Sequence, residues 1–403
     1  MVSKGKFSSV FFLLLFIFLV TLSYNLYAQE SILLSYERNF IRASLRDKTD
    51  ILLDAARDRN SSEFIGSLYE FALQYIISHS ALLRDDPDMI LLLATAARGT
   101  GTVHHRASIP SLLYLLDMFT DTHSRVEIIG VLSILGQGNS LVITSLNRFM
   151  ENQNSSFRAG NNPDISVTRA AVTALGELGD NASFSVLFNT LTSAYPQAVI
   201  QDTLRALDSI GGNHRDFLIN IIYSRPFTEK AAAFRIGAYN ERLSSSERAE
   251  IALAALEVSL NAVLSPSSTE FQTAASLRYD AITLLTRLRW SPASNLAIRN
   301  FHTVQMDYAG GNAPRERLLE AIQCLGVMST TEAAQTLALQ LGLINSHLER
   351  TGDYDEAVLL ALITALGELG DKAAFDSLLY ISYLNYPDRI QASAREALNR
   401  LQW

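Results

Sequence analysis

Two pairs of carboxylates have a spacing that would suit acid–base chemistry. Glu177 precedes Asp180 by three positions, and Glu368 precedes Asp371 in the same way. General acid–base catalysis uses two such groups with separated pKa values that face one cleft. Here both pairs lie inside one short motif that occurs twice, with Glu368 following Glu177 by 191 positions. We therefore interpret them as parts of a repeated structural turn, and we predict no catalytic residue.

A second set of candidate ligands is His104, His105, Asp121 and His123, on both sides of a short helical segment. Zinc sites on helices usually carry ligands at tighter spacing, such as two histidines four positions apart. We predict that these histidines are solvated loop residues and that the protein carries no metal and no cofactor. The alternative is a metal-assisted enzyme built on the region 99–123.

The charge balance argues against nucleic acid as a partner. The 403 residues include 33 Lys and Arg against 41 Asp and Glu, a formal net charge of −8. Binding to a phosphate backbone requires clustered positive charge. Cys324 is the single cysteine, so an intramolecular disulfide is excluded. Its neighbours predict a buried helix, in which the thiol packs as a small hydrophobic group.

The N-terminus has the pattern of an export signal. Lys4 and Lys6 precede an apolar run over 10–20, and small Ala28 follows it. A positive segment, an apolar segment and a small residue at the cleavage position define such a signal. We predict a signal peptide over 1–28 that is cleaved, which makes the protein exported to the periplasm or cell envelope, with an extracellular location as the alternative. An uncleaved anchor is the alternative, and the apolar runs that follow are too short to span a membrane.

The repeated motif is Ala-Leu-Gly-Glu-Leu-Gly-Asp, at 174–180 and again at 365–371, and a Tyr-Pro pair follows each copy. Its second glycine is placed for the left-handed residue that ends a helix, and its Asp for capping the next helix. Repeats of this kind are typical of solenoids. We predict loops at 99–110 and 152–166 and essentially no strand. Apolar spacing predicts successive helix pairs and one final helix. The pairs are 89–98 with 111–119; 125–135 with 141–152; 167–178 with 182–194; 197–210 with 215–223; two helices within 228–263; 270–289 with 293–306; 315–328 with 332–348; and 357–369 with 372–385. The final helix is 388–401.

The motif at 174–180 and 365–371 resembles the HEAT-repeat family in its short bacterial form. The resemblance implies an all-α solenoid, a right-handed superhelix of antiparallel helix pairs that serves mostly as a binding scaffold. It implies no activity. We predict an N-terminal helical cap at 29–85 and a HEAT-like solenoid at 86–403.

Two enzyme types within this family do not fit the chain. Di-iron HEAT enzymes use repeated His-Glu pairs, and none of the seven histidines here precedes Glu. HEAT-like DNA glycosylases need a basic concave surface, whereas the segments 181–194 and 373–385 contain neither Lys nor Arg. We predict that the protein is not an enzyme.

The resemblance also places the second helix of each pair on the concave face. If the apolar positions of those helices point inward, then Asn189, Asp376, Tyr380 and Tyr383 point outward. Tyrosine is enriched at binding hot spots. We predict that these four residues contact a protein or peptide partner, with packing of the tyrosines as the alternative. A structural subunit of an envelope assembly is a further alternative for the whole chain.

Overall fold

The computed structural model describes residues 32–57, 62–265 and 267–402. These residues form α-helices joined by short turns, several of them 3₁₀ helices, and they include no strand. One isolated bridge joins Asp371 to Gln402, where the Gln402 amide donates to the carbonyl of Gly370 at 2.7 Å. The predicted all-α class is confirmed.

The chain divides into two compact units, of which the first ends at Gly212 and the second begins at Asn213. In the first unit, α1 covers 32–42, followed by α2 Leu45–Arg57, α3 Ser62–Leu83, α4 Pro87–Thr102, α5 Ile109–Met118, α6 Thr122–Leu135, α7 Ser140–Arg158, α8 Ile165–Leu178, α9 Phe184–Leu191 and α10 Gln197–Ser209. The second unit contains α11 Arg215–Ser224, α12 Phe227–Ala238, α13 Ser245–Leu260, α14 Thr269–Leu288, α15 Ser294–Ala309, α16 Arg315–Gly326, α17 Thr331–Thr351, α18 Glu356–Leu369, α19 Phe375–Tyr380 and α20 Asp388–Asn399.

Within each unit the helices stack in two rows. In the first unit, α2, α4, α6, α8 and α10 contact one another in succession, and so do α3, α5, α7 and α9. In the second unit the two rows are α12, α14, α16, α18, α20 and α11, α13, α15, α17, α19. We call the even-numbered helices the first-helix row and the odd-numbered helices the second-helix row. Contact restricted to neighbouring pairs is the arrangement of an α-solenoid.

The repeated turn has the predicted chemistry. Gly179 adopts φ 63° in the left-handed region and ends α8, and the Asp180 carboxylate accepts a hydrogen bond from the Ala182 amide at 2.8 Å. A β-carbon on Gly176 would lie 2.8 Å from Ala206, so this glycine allows α8 and α10 to approach closely. The motif therefore specifies both a tight turn and close packing within the row.

The predicted loop at 99–110 is wrong over most of its length. Helix α4 continues through Thr102, a 3₁₀ turn follows, and Pro110 lies in the first turn of α5. A β-carbon on Gly99 would lie 2.2 Å from the Tyr69 ring. This glycine therefore provides room for an aromatic ring against the helix rather than a break in it.

The predicted loop at 152–166 begins too early, because α7 continues to Arg158. The Asn154 amide is buried and donates to the Val186 carbonyl at 3.3 Å. The Phe157 ring stacks on Tyr195 with ring centroids 4.1 Å apart. These tertiary contacts hold the polar end of α7 in a helical conformation.

The predicted signal peptide, 1–28, lies outside the described residues. Within the predicted cap at 29–85, Lys48 is 1% exposed, and its ammonium donates to the carbonyls of Ala43 at 2.9 Å, Ile41 at 3.2 Å and Phe40. Burial lowers the pKa of Lys48. This side chain joins α2 to the end of α1, and α2 and α3 contact α4 and α5. The boundary between cap and solenoid stays a prediction.

Candidate partner-binding surface

The four candidate metal ligands do not form a common site. His104 is exposed at the groove between α4 and α6, whereas His105 packs against Gly66 of α3. The Asp121 carboxylate caps α6 by accepting a hydrogen bond from the Ser124 amide at 2.8 Å. Across the described ranges, no three His, Cys, Asp or Glu side chains are grouped as metal ligands would be.

The aspartate of each carboxylate pair caps the turn that follows α8 or α18, as predicted, whereas Glu177 and Glu368 are exposed within those helices. Asp371 accepts hydrogen bonds from the Ala373 amide at 2.8 Å and from the Thr331 hydroxyl at 2.7 Å. These donors lower the pKa of the Asp371 carboxyl, with the amide contributing more than the hydroxyl. An ionised carboxylate that accepts two hydrogen bonds is suited to capping a helix.

The tyrosines predicted to face outward are exposed at the C-terminal end of the second-helix row. Tyr380 ends α19 and is 41% exposed, and Tyr383 ends the 3₁₀ turn after it and is 74% exposed. Asp376 is also exposed, whereas Leu378 and Ile381 are fully buried on the opposite side. The predicted orientation is confirmed, and contact with a partner stays a prediction.

The position of Tyr380 is set by the neighbouring helix of the same row. Its hydroxyl donates to the Glu349 carboxylate of α17 at 2.7 Å, and this bond raises the pKa of the Tyr380 phenol. One turn earlier, the Ser377 hydroxyl donates to the Ala338 carbonyl at 2.9 Å. The exposed faces of α17 and α19 are therefore held side by side.

The sequence interpretation missed two exposed leucines on α17. Leu339 is 67% exposed and Leu343 is 56% exposed. They are four positions apart, so they lie on one face of the helix. Because α17 and α19 are neighbours in the row, we group these leucines with Tyr380 and Tyr383 and call the four residues the α17–α19 apolar surface.

The repeat has a first copy at 139–209 and a second copy at 330–400, and the first copy has polar side chains at the four positions equivalent to this surface. Residues 139–209 and 330–400 align without a gap at a separation of 191 positions, and α7 and α17 begin at equivalent residues. That alignment is the signal that identifies the surface from sequence. The equivalents are Arg148 for Leu339, Asn152 for Leu343, Asn189 for Tyr380 and Thr192 for Tyr383.

Asn189 was also predicted to contact a partner, and it lies on α9 of the first unit. The other three predicted residues belong to the second unit. Asn189 is half-buried, and its carbonyl accepts hydrogen bonds from Arg158 at 3.2 Å and from the Ser193 hydroxyl at 2.5 Å. Its part in binding stays a prediction.

The fold defines an all-α helical-repeat protein built from stacked helix pairs. The sequence matches no family model and none of the curated proteins. Among the described residues, no helix has the length and apolar composition needed to cross a bilayer. Function is therefore inferred from the surface residues themselves.

Proposed function

We propose that this protein is an exported, non-catalytic HEAT-type scaffold that binds a protein or peptide partner in the cell envelope through the α17–α19 apolar surface. One observation carries the proposal: two leucines and two tyrosines are exposed at positions where the aligned residues of the first copy are polar. Grouped exposed apolar side chains are typical of interaction sites, whereas single ones are normal on any surface.

The chemistry of the surface favours a polypeptide partner. The two tyrosines offer large rigid rings with polar hydroxyls, which bind at a small entropy cost. The charged groups beside them include the carboxylates of Glu349 and Asp376, and the segment 375–383 contains neither Lys nor Arg. A nucleic acid would be repelled by this arrangement, because its phosphates require positive charge.

The proposal is tested by replacing the tyrosines with the residues of the first copy. The variant carries Tyr380→Asn and Tyr383→Thr, and crosslinking in cells compares its partner capture with that of the parent. Each truncation of a hot-spot residue is expected to cost about 1–3 kcal/mol of binding. Circular dichroism and the melting temperature should remain those of the parent, because both side chains are exposed.

A matched control changes the first copy instead. Arg148→Ala with Asn152→Ala removes the equivalents of the two leucines, and we expect it to leave capture unchanged. Leu339→Arg with Leu343→Asn should abolish capture as the tyrosine variant does. Normal capture by folded forms of both second-copy variants would place the site elsewhere.

Export is tested separately on the protein isolated from cell fractions. The signal pattern ends at Ala28, so N-terminal sequencing of the envelope fraction should begin at Gln29. A chain that begins at Met1 and stays with the membrane would indicate the uncleaved anchor. Recovery of the whole chain in the cytoplasmic fraction would refute export.

A further inference from the structure

A groove lies on the first-helix row of the first unit, between α4 and α6. Its volume is about 510 Å³, and Gly130 and Ile134 line it from α6. A β-carbon on Gly101 would lie 3.3 Å from Val131, so the two helices approach closely at that point. Ile134 is exposed, which leaves an apolar side chain open to solvent in the groove. A space of this size accommodates one large side chain of a partner.

Nothing in the described part of the chain requires glycine at position 130. Its φ is not positive, and glycine inside a helix is less stable than alanine. Every other glycine within the described helices has a neighbouring atom within 4 Å of its β-carbon position, whereas Gly130 has none outside its own helix backbone. The missing side chain at Gly130 therefore keeps space open in the groove and does not serve helix packing.

Two other helical glycines of the first unit show what such a space receives. A β-carbon on Gly66 would lie 2.4 Å from Nδ1 of His105, and a β-carbon on Gly99 would lie 2.2 Å from the Tyr69 ring. In both cases a ring of the chain itself takes the place of the missing side chain. No ring of the described residues does so at Gly130. The equivalent place on α6 is therefore open to a ring from another molecule.

The charged group beside this space suits an aromatic ring. The Arg98 guanidinium donates to both oxygens of the Glu127 carboxylate, from Nε at 3.2 Å and from Nη2 at 2.5 Å. The two bonds hold the guanidinium plane in one orientation, and the Arg98 side chain remains 62% exposed. A guanidinium attracts the electron-rich face of a ring and stacks on it. The charge at the groove is therefore complementary to an aromatic side chain.

His104 is a second residue of this groove that departs from the locally favoured choice. It follows the end of α4 and has φ 54°, in the left-handed region where glycine is the usual helix-ending residue. A side chain in that conformation costs stability, and such departures are concentrated at functional sites. His104 and Gly130 therefore both lower stability at positions that line one groove.

We propose that the α4–α6 groove binds an aromatic side chain of a partner polypeptide. The ring lies on the backbone of α6 at Gly130 and beside Ile134, with the Arg98 guanidinium against its face. An aliphatic side chain would fill the same space without the attraction between the cation and the ring. This site belongs to the first unit and does not depend on the α17–α19 apolar surface.

The test titrates the unlabelled peptide acetyl-Gly-Ser-Trp-Ser-Gly-amide against the purified protein, followed by saturation-transfer NMR. We expect saturable binding in which the indole protons receive the largest transfer, because the ring makes the contact. The peptide with leucine in place of tryptophan should bind about fivefold more weakly, because it lacks the attraction to the Arg98 cation.

Two variants test the groove itself, with folding checked by circular dichroism. Gly130→Ala adds a methyl group that meets no neighbouring atom among the described residues, so the melting temperature should rise by about 2–4 °C. The same methyl group takes the place of the ring, so peptide binding should weaken about tenfold. Arg98→Gln keeps a donor for Glu127 and removes the charge, and it should weaken binding about two- to fivefold.

Gly342→Ala is the matched control, because it adds the same methyl group to a helix of the second unit. It should leave peptide affinity unchanged, and so should Tyr380→Asn with Tyr383→Thr. The proposal is overturned if no saturable binding occurs, if the leucine peptide binds equally well, or if Gly130→Ala and Arg98→Gln both keep parental affinity. Binding of free indole without binding of the peptide would also overturn it, because the occupant would then be a small molecule.

Discussion

Residues 139–209 and 330–400 are two copies of one unit, and they agree in the interior while differing at the surface. Gly179 and Gly370 both adopt φ 63°, and the following Asp caps the next turn at 2.8 Å in each copy. Asn154 and Asn345 are equivalent buried residues whose amides donate to equivalent carbonyls of the next helix in the row. The agreement follows from the shared packing of the two interiors, and the exposed side chains of the two copies differ in chemistry.

One interior difference concerns equivalent tyrosines. Tyr195 and Tyr386 are each 4% exposed. The Tyr386 hydroxyl donates to the Asn345 side-chain oxygen at 3.0 Å. The Tyr195 hydroxyl has no hydrogen-bond partner among the described residues, and the Asn154 side chain is instead bonded to the Thr190 hydroxyl, to which its amide donates at 3.0 Å. The equivalent buried side chains Asn154 and Asn345 therefore have different hydrogen-bond partners, Thr190 in the first copy and Tyr386 in the second.

The largest expected effect is the loss of a core leucine. Leu175 and Leu366 are equivalent and fully buried. Truncation of either one to Ala should lower the free energy of unfolding by about 2–5 kcal/mol, measured by urea unfolding. Equal losses would confirm that the copies share one core. A parental midpoint for either variant would contradict the assigned equivalence.

The next effect comes from the left-handed glycines. Gly179→Ala should cost about 1–2 kcal/mol, since a side chain in this conformation crowds the carbonyl. Gly370→Ala should cost more, because its β-carbon would lie 3.2 Å from the Arg400 carbonyl oxygen, against 3.9 Å for the nearest atoms at Gly179. Urea unfolding of the two variants tests this order, and the reverse order would show that the C-terminal turn relaxes.

The tyrosine pair should respond unequally to loss of the hydroxyl. Tyr386→Phe leaves the Asn345 oxygen without its donor and should cost about 1–2 kcal/mol of unfolding free energy. Tyr195→Phe removes a hydroxyl that has no partner among the described residues, so it should be neutral or slightly stabilising. Thermal melts of the two variants measure the difference. Equal losses would mean that Tyr195 has an acceptor after all.

The smallest effect is expected at alkaline pH. Burial raises the pKa of both Tyr195 and Tyr386 to about 12, whereas an unfolded tyrosine has a pKa of about 10. Above pH of about 10 the unfolded chain loses these protons and the folded protein retains them, so stability falls as the pH rises. The double variant Tyr195→Phe, Tyr386→Phe should lose less stability than the parent between about pH 9 and 11. Parallel curves would refute the assigned cause.

Local chemistry in the sequence was enough to predict the all-α class and the turns that follow Gly179 and Gly370, although two loops were predicted with the wrong extent. A glycine that takes positive φ, an Asp that caps the following turn and apolar residues at helical spacing act within a few residues of one another. The capping box at the start of α13 is equally local: the Ser244 hydroxyl accepts a hydrogen bond from the Glu247 amide, and the Glu247 carboxylate accepts one from the Ser244 amide. Burial of Cys324 was predicted in the same way, and it is fully buried.

Longer-range contacts control the remaining features, and only the tertiary structure shows those contacts. Gly99 remains helical because Tyr69 packs against it, and nothing in the local sequence distinguishes this glycine from a helix-ending one. On α17, Leu337 and Leu341 are fully buried while Leu339 and Leu343 are exposed. A helix with leucine on several faces does not by itself specify which face meets solvent. Helices α15, α16, α18 and α19 all pack against α17 and make that choice, because they cover three sides of it and leave the remaining side exposed to solvent.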